Sequence, residues 1–415
     1  MSTAEKAHEE GPMFLAELFG NNFHEAPYER YRRLHETAPS IALPEIQAHV
    51  FYRYGDCQKL LRDKRLGHDY PRRMKALHGE DVFEKNAVYR NLSHSMLLMD
   101  DPGHGRIRGL VTKAFDARRT EALRPEVARL AQGLIDGFEG DGAGDLIPRF
   151  TFPLPVLVIC EMLGIPEEDR DRFVHGERIT GRVIDPTPMA PEELAEANAG
   201  SENSAAYFNA LLDRRRAEPK DDLLSALVAA ETQDGKLTGA ELVANVSLLF
   251  AAGHETTVNL LGNGLRALWR HRPCLDALRA DLSLLPAAVE EMLRFDSSVQ
   301  LTGRRALEDF TFQGHEIKAG DNVITLLGAA NHDSETFPEP ERFRLDRKAP
   351  RALSFGGGIH FCLGAQLSRI EGEEALRALF ERLPKLELDP SVIDAPDQKP
   401  TITLRGLNAL PARWA

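Results

Sequence analysis

The stretch that most constrains the fold lies near the C-terminus, where a glycine-rich run leads to one cysteine at the start of a helical pattern. The run covers residues 354–364 and contains Cys362. The positive end of a helix dipole and the N–H groups of the first turn favour the thiolate form of a cysteine there. Glycines before the cysteine allow the backbone to approach another group closely, because they carry no Cβ.

A thiolate held in this way suits a metal ion. A zinc site is disfavoured because Cys362 has no second cysteine or Cys-x-x-Cys pair nearby, whereas haem iron accepts a single thiolate. The alternative is a free cysteine buried after a tight turn, which is the common fate of a lone cysteine. The cysteine by itself leaves both interpretations open.

The wider motif favours the haem site. Its pattern, Phe-x-x-Gly-x-His-x-Cys-x-Gly, resembles the haem-binding loop of the cytochrome P450 family and is matched at five positions, namely Phe355, Gly358, His360, Cys362 and Gly364. The resemblance implies haem b as cofactor, with Cys362 as the axial ligand of its iron. It also implies that Phe355, Gly356 and Gly364 lie against the cofactor.

Composition limits the remaining classes of protein. The 415 residues carry a formal net charge of −13, so nucleic acid is not an expected partner. Four cysteines without framework spacing indicate a reducing compartment. The N-terminus shows no basic and apolar signal pattern, and no apolar run reaches the length of a membrane span. We expect a cytoplasmic monomer without membrane contact, formed as a single domain over residues 1–415.

The patterns along the chain are mostly helical. Short strands are predicted near residues 41–54 and 304–327, and the alternation of residues 401–404 predicts another. Residues 68–98 and 176–200 lack clean periodicity and are predicted to be long loops. The fold class is therefore mainly α with a minor antiparallel β part. The family resemblance implies the cytochrome P450 fold, with haem between a long central helix and the helix after the cysteine loop.

The long central helix is predicted from a capping box at residues 238–241 to about Trp269. Its centre carries Gly253, Glu255, Thr256 and Thr257, which are costly or mediocre helix formers. Taken alone, such a run is more often a solvated face or a satisfied part of the core. It resembles the oxygen-binding helix of the family, and the resemblance implies that Thr256 supports dioxygen while Glu255 helps to relay protons.

Four cations match the family positions that contact the two haem propionates, namely His104, Arg108, Arg304 and His360. His104 and Arg108 stand at i and i+4 on one helical face. Asp101 and Gly105 depart from the usual family motif around them, so the preceding turn is expected to differ slightly. The resemblance also places Ala252 of the central helix against the cofactor.

Glu291 and Arg294 stand at i and i+3, where they can pair. Such pairs are usually surface decoration of little energetic value. The Glu-x-x-Arg spacing resembles the structural helix of the family, and the segment around Arg342 resembles the one that supplies a second arginine. The resemblance implies a buried network of Glu291, Arg294 and Arg342 that supports the haem loop.

The implied activity is that of a monooxygenase that inserts one oxygen atom of dioxygen into an organic substrate. The chain has no room for a flavin or iron–sulfur domain, so ferredoxin and ferredoxin reductase are the implied electron donors. A local basic cluster, Arg106, Lys113, Arg118 and Arg119, is predicted to steer an acidic ferredoxin, although it also fits an ordinary solvated helix face. Two alternatives remain, a peroxide-driven peroxygenase and a non-catalytic haem-thiolate ligand-binding protein.

Substrate contacts are predicted from the two unpatterned loops, the central helix and two later turns. The apolar candidates are Leu97, Leu98, Leu248, Ala251, Val299, Leu301 and Leu407. Their character favours an apolar small molecule that the enzyme hydroxylates or epoxidises. Steroid, terpenoid, fatty acid and macrolide substrates all remain open.

Overall fold

Helices dominate the computed structural model, which describes residues 3–20, 23–115, 117–174, 180–187, 189–234 and 237–415. The α-helices are α1 (Thr3–Leu18), α2 (Pro27–Thr37), α3 (Tyr54–Leu60), α4 (Tyr70–His78), α5 (Val82–Lys85), α6 (Ala87–Ser93), α7 (Gly103–Ala114), α8 (Ala117–Ala122), α9 (Arg124–Asp136), α10 (Pro153–Leu163), α11 (Glu167–Val174), α12 (Thr180–Val183), α13 (Pro191–Ala217), α14 (Leu223–Asp234), α15 (Gly239–Arg270), α16 (Arg272–Ala280), α17 (Leu285–Phe295), α18 (Leu327–Ala330), α19 (Ala365–Arg382) and α20 (Pro390–Asp394).

The strands are short and form small sheets. They are β1 (Ser40–Leu43), β2 (Ala48–Phe51), β3 (Leu66–Gly67), β4 (Ala143–Asp145), β5 (Thr302–Ala306), β6 (Phe310–Phe312), β7 (His315–Ile317), β8 (Asn322–Thr325), β9 (Glu387–Leu388) and β10 (Pro411–Arg413). The largest sheet has the order β1-β2-β8-β5-β3, and all its pairs are antiparallel except β2 with β8. The predicted class, mainly α with a minor antiparallel β part, is confirmed.

The long central helix begins as its capping box predicts. The Glu241 N–H donates to Thr238 Oγ1 at 3.2 Å, and the Thr238 N–H donates back to Glu241 Oε2 at 2.9 Å. This reciprocal pair satisfies two backbone donors that an open helix end would leave exposed. The helix, α15, then continues for 32 residues through the polar centre at residues 253–257.

Two compact units make up the chain, and each draws on several chain segments. Unit 1 comprises residues 1–67, 131–151 and 256–415, and unit 2 comprises residues 68–130 and 152–255. The boundary on α15 falls between Glu255 and Thr256. The single domain over residues 1–415 stays a prediction.

The core of unit 1 joins the N-terminal helices to the largest sheet. One cluster packs Phe14, Phe23 and Tyr31 against strands β1 and β2, and it also includes Leu301. A second cluster packs the start of α3 against Phe337 and Leu353, directly before the cysteine loop. Burial of these large apolar side chains supplies the main driving force for ordering the loop that follows.

Unit 2 contains the two segments predicted to be long loops, and for the described residues that prediction is wrong. Residues 68–98 form α4, α5 and α6, and the described part of residues 176–200 forms α12 and the start of α13. Tyr70, Val88 and Ala197 belong to one apolar cluster, against which Val183 and Leu98 pack. Helices α4, α5, α6 and α12 are too short for their periodicity to be visible in sequence, and tertiary packing stabilises them.

The strand predicted at residues 401–404 is also wrong. Leu404 forms only an isolated bridge with Val299, and the last strand is β10 at residues 411–413. Ile402, Thr403 and Leu404 are all buried, so the alternation of residue types does not correspond to an alternation of burial. Among the described residues, no helix has the length and apolarity needed to cross a membrane.

Candidate active site

The cysteine loop in unit 1 has one anchored side and one accessible side. The Cys362 N–H donates to the Phe355 carbonyl at 2.9 Å, which closes the loop just before α19 begins. Cys362 and Phe355 are half-buried, whereas Leu353 and Ser354 are buried. The thiol therefore sits at a helix start, where dipole and backbone donors favour its ionised form.

Glycine is required at two positions of this loop. Gly356 and Gly358 have φ values of +68° and +66°, in the region that side-chain-bearing residues rarely adopt. A Cβ on Gly358 would also lie 2.1 Å from the Leu61 carbonyl oxygen. The sequence argument explained the glycines by close approach to another group, and the end of α3 is one such neighbour.

Neutral hydrogen bonds fix the start of the loop to α17. Ser354 Oγ donates to the Leu293 carbonyl at 2.6 Å, and Asn331 Nδ2 donates to Ser354 Oγ at 2.9 Å. Asn331 Oδ1 accepts the Leu353 N–H at 2.7 Å. All of these groups are buried, so each unmade bond would carry a desolvation cost. The sequence analysis did not find Asn331, although its buried amide is central to this anchor.

Arg369 is a second residue that the sequence analysis missed. Its guanidinium carbon lies 4.7 Å from the centre of the Phe355 ring, and the same group forms an ion pair with Glu290 of α17. The contact stacks a cation on the aromatic ring of the cysteine loop. The spacing of Arg369 seven residues after Cys362 was the only available sequence signal.

The predicted network around Glu291 exists, but with a different second arginine. Arg294 donates to both Glu291 oxygens, at 2.9 and 2.7 Å, and Arg347 Nε lies 3.1 Å from each of them. The prediction of Arg342 is wrong for the side chain, because it pairs with exposed Glu339 at 2.6 Å. Only the Arg342 carbonyl joins the network, accepting from Arg294 and Arg347. A buried carboxylate thus faces two guanidinium groups, whose charges offset its desolvation.

The proposed catalytic pair lies at the centre of α15, and both Glu255 and Thr256 are half-buried. The Thr256 carbonyl accepts a hydrogen bond from Ser298 Oγ at 2.8 Å. The next residue, Thr257, donates to Ser368 Oγ of α19 at 3.4 Å. Two side-chain contacts therefore hold α15 at the position of the threonines, and Ala252, one turn before, is exposed.

Gly253 has a packing role in unit 2. A Cβ at this position would lie 2.9 Å from Ile159 Cδ1 of α10. The neighbouring His254 donates through Nδ1 to the Phe250 carbonyl at 2.9 Å, and its ring contacts Phe250 and Phe152. The glycine in the polar centre is thus explained by close contact between helices.

The first two predicted propionate contacts lie on α7. His104 is only 1% exposed, and its Nδ1 is 3.7 Å from Asp101 Oδ1. Burial, together with the nearby charge of Arg108, lowers the pKa of His104. Asp100 fixes the turn before α7 by accepting the His68 and Asp69 N–H groups at 2.7 and 2.8 Å.

The other two predicted propionate contacts, Arg304 and His360, lie in unit 1, and both are half-buried. Arg304 is on β5, where its guanidinium donates to Thr302 Oγ1 at 3.0 Å and to the Gly303 carbonyl at 2.8 Å. His360 ends the short helical turn of the cysteine loop. In unit 1, the guanidinium group of Arg304 supplies a cation that suits a carboxylate-bearing group.

The substrate candidates divide by exposure. Those that keep accessible surface are Leu97, Leu98, Leu248, Ala251 and Val299. Leu301 is 7% exposed within the core cluster of the sheet, and Leu407 is 1% exposed and faces the position of Gly262. For these two leucines, the structure supports a role in packing.

Within unit 2, Asn245 of α15 contacts the backbone just before two of the substrate candidates, Leu97 and Leu98. Its Oδ1 accepts the Met96 N–H at 2.9 Å, and its Nδ2 donates to the His94 and Glu241 carbonyls at 3.1 and 2.7 Å. Asn245 is 2% exposed. The segment with Leu97 and Leu98 is therefore held against α15, close in sequence to Leu248.

Of the four basic residues predicted to steer a ferredoxin, Arg106 forms an ion pair. Arg106 donates to both carboxylate oxygens of Glu241, at 3.1 and 2.5 Å, and this pair lowers the pKa of Glu241. Its charge is thus largely compensated. Arg118 and Arg119 are exposed, and the side chain of Lys113 lies outside the described part of the chain.

The residues of unit 1 fit haem as the family uses it. The thiol at the start of α19 is half-buried, glycines precede and follow it, and the basic residues Arg304 and His360 belong to the same unit. A single protein thiolate, without further side-chain ligands, suits iron whose other ligands come from a macrocycle.

Comparison with known proteins gives one consistent result. The family model for cytochrome P450 matches residues 201–405. The vitamin D(3) 25-hydroxylase of Pseudonocardia autotrophica is 40% identical over 399 residues, which cover 95% of this chain and 95% of the hydroxylase. The cytochrome P450 monooxygenase PikC of Streptomyces venezuelae is 40% identical over 413 residues, covering 97% and 94% of the two chains.

Solved structures agree. The crystal structure of the myxobacterial cytochrome P450 CYP267B1 in complex with myristic acid superposes with a TM-score of 0.86 at 39% identity, covering 96% of this chain and 99% of that one.

Proposed function

The chain belongs to the cytochrome P450 family, and from this premise we propose that this monooxygenase hydroxylates or epoxidises a mainly apolar small molecule. Electrons would come from a separate ferredoxin and ferredoxin reductase. The observation that supports the substrate class is the Asn245 contact, which holds the backbone of Met96, next to the partly exposed Leu97 and Leu98, against α15.

Haem b would be held by Cys362, with Phe355, Gly356 and Gly364 against it. When bound, a haem thiolate supplies the activation of dioxygen. The side chains of His104, Arg108, Arg304 and His360 would bind its propionates, the two arginines through charge-assisted hydrogen bonds. The anchored side of the cysteine loop, from Leu353 to Phe355, would keep the thiol at a fixed position.

The role of the catalytic pair is proton handling. A hydroxyl at Thr256 Oγ1 both donates and accepts, so it can hold a polar reactant and pass a proton. A carboxylate at Glu255, half-buried and adjacent in sequence, can accept a proton from solvent and deliver it. An acid and an alcohol at consecutive positions in the centre of the helix support this assignment.

The relatives narrow the substrates to be tested. One relative is named as a vitamin D(3) hydroxylase and another, from Saccharopolyspora erythraea, as a 6-deoxyerythronolide B hydroxylase, while a structural neighbour was solved with myristic acid. We propose that this chain accepts a molecule of one of these classes: a secosteroid, a macrolide or a fatty acid.

A spectral screen tests this proposal. Purified holoprotein would be titrated with vitamin D3, a macrolactone and myristic acid while the Soret band is followed. At least one is expected to shift the band to shorter wavelength and to give an oxygenated product with NADPH, ferredoxin and reductase. Product with hydrogen peroxide but none with the redox partners would favour a peroxygenase. Binding without any product would favour the ligand-binding alternative.

The ferredoxin surface is tested separately. Because their side chains are exposed, we propose that Arg118 and Arg119 carry the attraction to an acidic ferredoxin. The double charge reversal to glutamate is expected to slow ferredoxin-supported turnover at low salt, and the difference is expected to shrink at high salt. Reversal of exposed Arg32, which pairs locally with Glu36, is the control. Equal rates at both salt concentrations would contradict the proposal.

A further inference from the structure

Ser298 occupies an unusual position in unit 1, because its hydroxyl reaches the backbone of the proposed catalytic threonine. Ser298 Oγ donates to the Thr256 carbonyl at 2.8 Å, and Ser298 is 7% exposed. A peptide carbonyl has two lone pairs, so this donor can bind it beside the usual helical N–H. The contact joins the chain just after α17 to the centre of α15.

The backbone of Ser298 is itself fixed from the other side. The Arg405 N–H donates to the Ser298 carbonyl at 2.8 Å, and the Gln300 N–H donates to the Thr403 carbonyl at 2.8 Å. Val299 and Leu404 form the bridge between these hydrogen bonds. Ser298 is therefore part of a short antiparallel pairing of residues 298–300 with residues 403–405.

A buried ion pair fixes both segments. Arg405 Nε donates to Asp296 Oδ1 at 2.7 Å, and these residues are 6% and 5% exposed. The Tyr28 hydroxyl donates to the same carboxylate oxygen at 3.0 Å. Asn263 of α15 donates to the Arg405 carbonyl at 3.0 Å and to the Asp296 carbonyl at 3.4 Å. Two positions along α15 are thus attached to this pairing, Asn263 by its own side chain and Thr256 through Ser298.

We propose that Ser298 is a positioning residue that sets the direction of the Thr256 hydroxyl. The carbonyl that Ser298 holds belongs to the peptide after Thr256, so the hydrogen bond restrains the backbone rotation on either side of that peptide. A threonine in a helix has only two favoured χ1 rotamers, and each places the hydroxyl in a direction that is set relative to the backbone, so a shift of the backbone moves the hydroxyl with it. The Asp296–Arg405 pair acts through Ser298 by keeping its chain segment in place.

This inference rests on the proposed role of Thr256 and makes a distinct demand on the reaction. If the hydroxyl is misdirected, Thr256 would no longer hold and pass a proton in the productive direction. Electrons from NADPH are then lost as hydrogen peroxide, and less substrate is oxygenated. Haem binding need not change, because the cysteine loop is anchored by other residues, namely Asn331 and Ser354.

The decisive variants differ by one hydroxyl. Ser298→Thr keeps the hydroxyl donor. Ser298→Val has the shape of the threonine variant but lacks the hydroxyl. Ser298→Ala tests the smaller side chain. Thr37→Val is the matched control, because Thr37 Oγ1 also donates to a helix carbonyl, that of Arg33 at 2.9 Å, but at the end of α2.

The first measurement is hydrogen–deuterium exchange of the holoprotein, which needs no substrate. Loss of one hydrogen bond of ordinary net strength predicts that amides of residues 257–260 exchange about 2- to 10-fold faster in Ser298→Val and Ser298→Ala. Ser298→Thr and Thr37→Val are expected to match the wild type at these amides. Wild-type exchange in all four variants would overturn the proposal.

The second measurement is the amount of hydrogen peroxide formed per NADPH, with myristic acid and the redox partners. We expect this ratio to rise about 2- to 10-fold in Ser298→Val and Ser298→Ala, the same range as for exchange. Thermal midpoint and the carbon-monoxide difference spectrum serve as controls for folding and haem content. An unchanged ratio beside faster exchange would overturn the positioning role. Absence of any oxygenated product in the wild type would count against the proposed substrate, and the exchange result would stand independently.

Discussion

The cysteine loop of unit 1 and the segment of residues 94–98 in unit 2 are both anchored to a helix, but the anchors differ in charge. Behind the cysteine loop, Glu291 faces two guanidinium groups, and all three side chains are at least nine-tenths buried. The segment of unit 2 is held by a hydrogen bond to the neutral amide of Asn245 and by packing of Leu98 against an apolar cluster.

This difference teaches which part of the site tolerates change. A buried charge that loses its partner costs about 3–5 kcal/mol, so the arrangement around Glu291 is nearly all-or-none. A neutral hydrogen bond contributes about 1 kcal/mol and an apolar cluster can repack with little loss. Firm anchoring is consistent with the proposal that the cysteine loop holds one fixed cofactor, and adaptable anchoring with the proposal that residues 94–98 contact a substrate.

The largest expected effect comes from removing the charge at the centre of the network. Glu291→Gln keeps the shape but leaves Arg294 and Arg347 without a carboxylate, which predicts a loss of about 3–5 kcal/mol in the free energy of unfolding. Urea unfolding and the haem-to-protein ratio measure it. Glu339→Gln is the control, because Glu339 pairs only with more exposed arginines. Equal stability of the two variants would break the comparison.

The next prediction separates the two arginines. Arg347→Ala is expected to cost about 3 kcal/mol, because it removes one partner of a buried carboxylate. Arg342→Ala is expected to cost less than about 1 kcal/mol, because its side chain forms a largely exposed pair. The free energies of unfolding of both variants are compared with the wild type. The reverse order would restore Arg342 as the network residue.

The third prediction concerns the loss of folding stability at acidic pH. His332 donates through Nε2 to the Phe295 carbonyl at 2.9 Å, and burial together with the charge of Arg294 lowers its pKa to about 3. The unfolded chain binds a proton near pH 6.5 and the folded chain does not, so stability falls as pH drops from 6.5 towards 3. The expected loss from this group is about 2 kcal/mol at pH 5.

His332→Gln, which can keep the donor, is expected to flatten this part of the pH profile. Urea unfolding at pH 5 and pH 7 measures the difference for variant and wild type. An identical slope in both proteins would show that His332 does not contribute to acid sensitivity in unit 1.

The smallest effect on stability is expected in unit 2. Asn245→Ala removes the acceptor for Met96 and two donated hydrogen bonds, which predicts a loss of about 1–2 kcal/mol. We expect weaker spectral binding of myristic acid with unchanged haem content. Asn209→Ala is the control, since Asn209 is exposed and donates only to the Ala205 carbonyl of its own helix. Loss of haem in Asn245→Ala would contradict the division between the anchors.

The long elements and the short motifs were predictable from local sequence. Thr238 and Glu241 mark the start of α15 by a reciprocal cap that needs only residues three apart. Glu291 and Arg294 pair for the same reason, because they are one turn apart on α17. The short helices of residues 70–93 were missed, since helices of this length are stabilised by packing rather than by their own periodicity.

The partners that come from distant segments were the main errors. Arg342 and Arg347 are only five residues apart and both follow α17 at a distance, so their sequence gave no means to decide which one turns towards Glu291. Leu301 and Leu407 are apolar in the expected segments, yet one joins the sheet core and the other is enclosed. Exposure depends on what the rest of the chain covers.

The sequence by itself determined the chemistry of the candidate site: one cysteine after a glycine run at a helix start, and a Glu-Thr pair in the centre of a long helix. These are local properties, since dipole, turn and cap are formed by neighbouring residues. Only the tertiary structure decided the anchors. It selected Arg347, Asn331 and Ser298, because hydrogen bonds and charge pairs between segments depend on distances that the chain order does not encode.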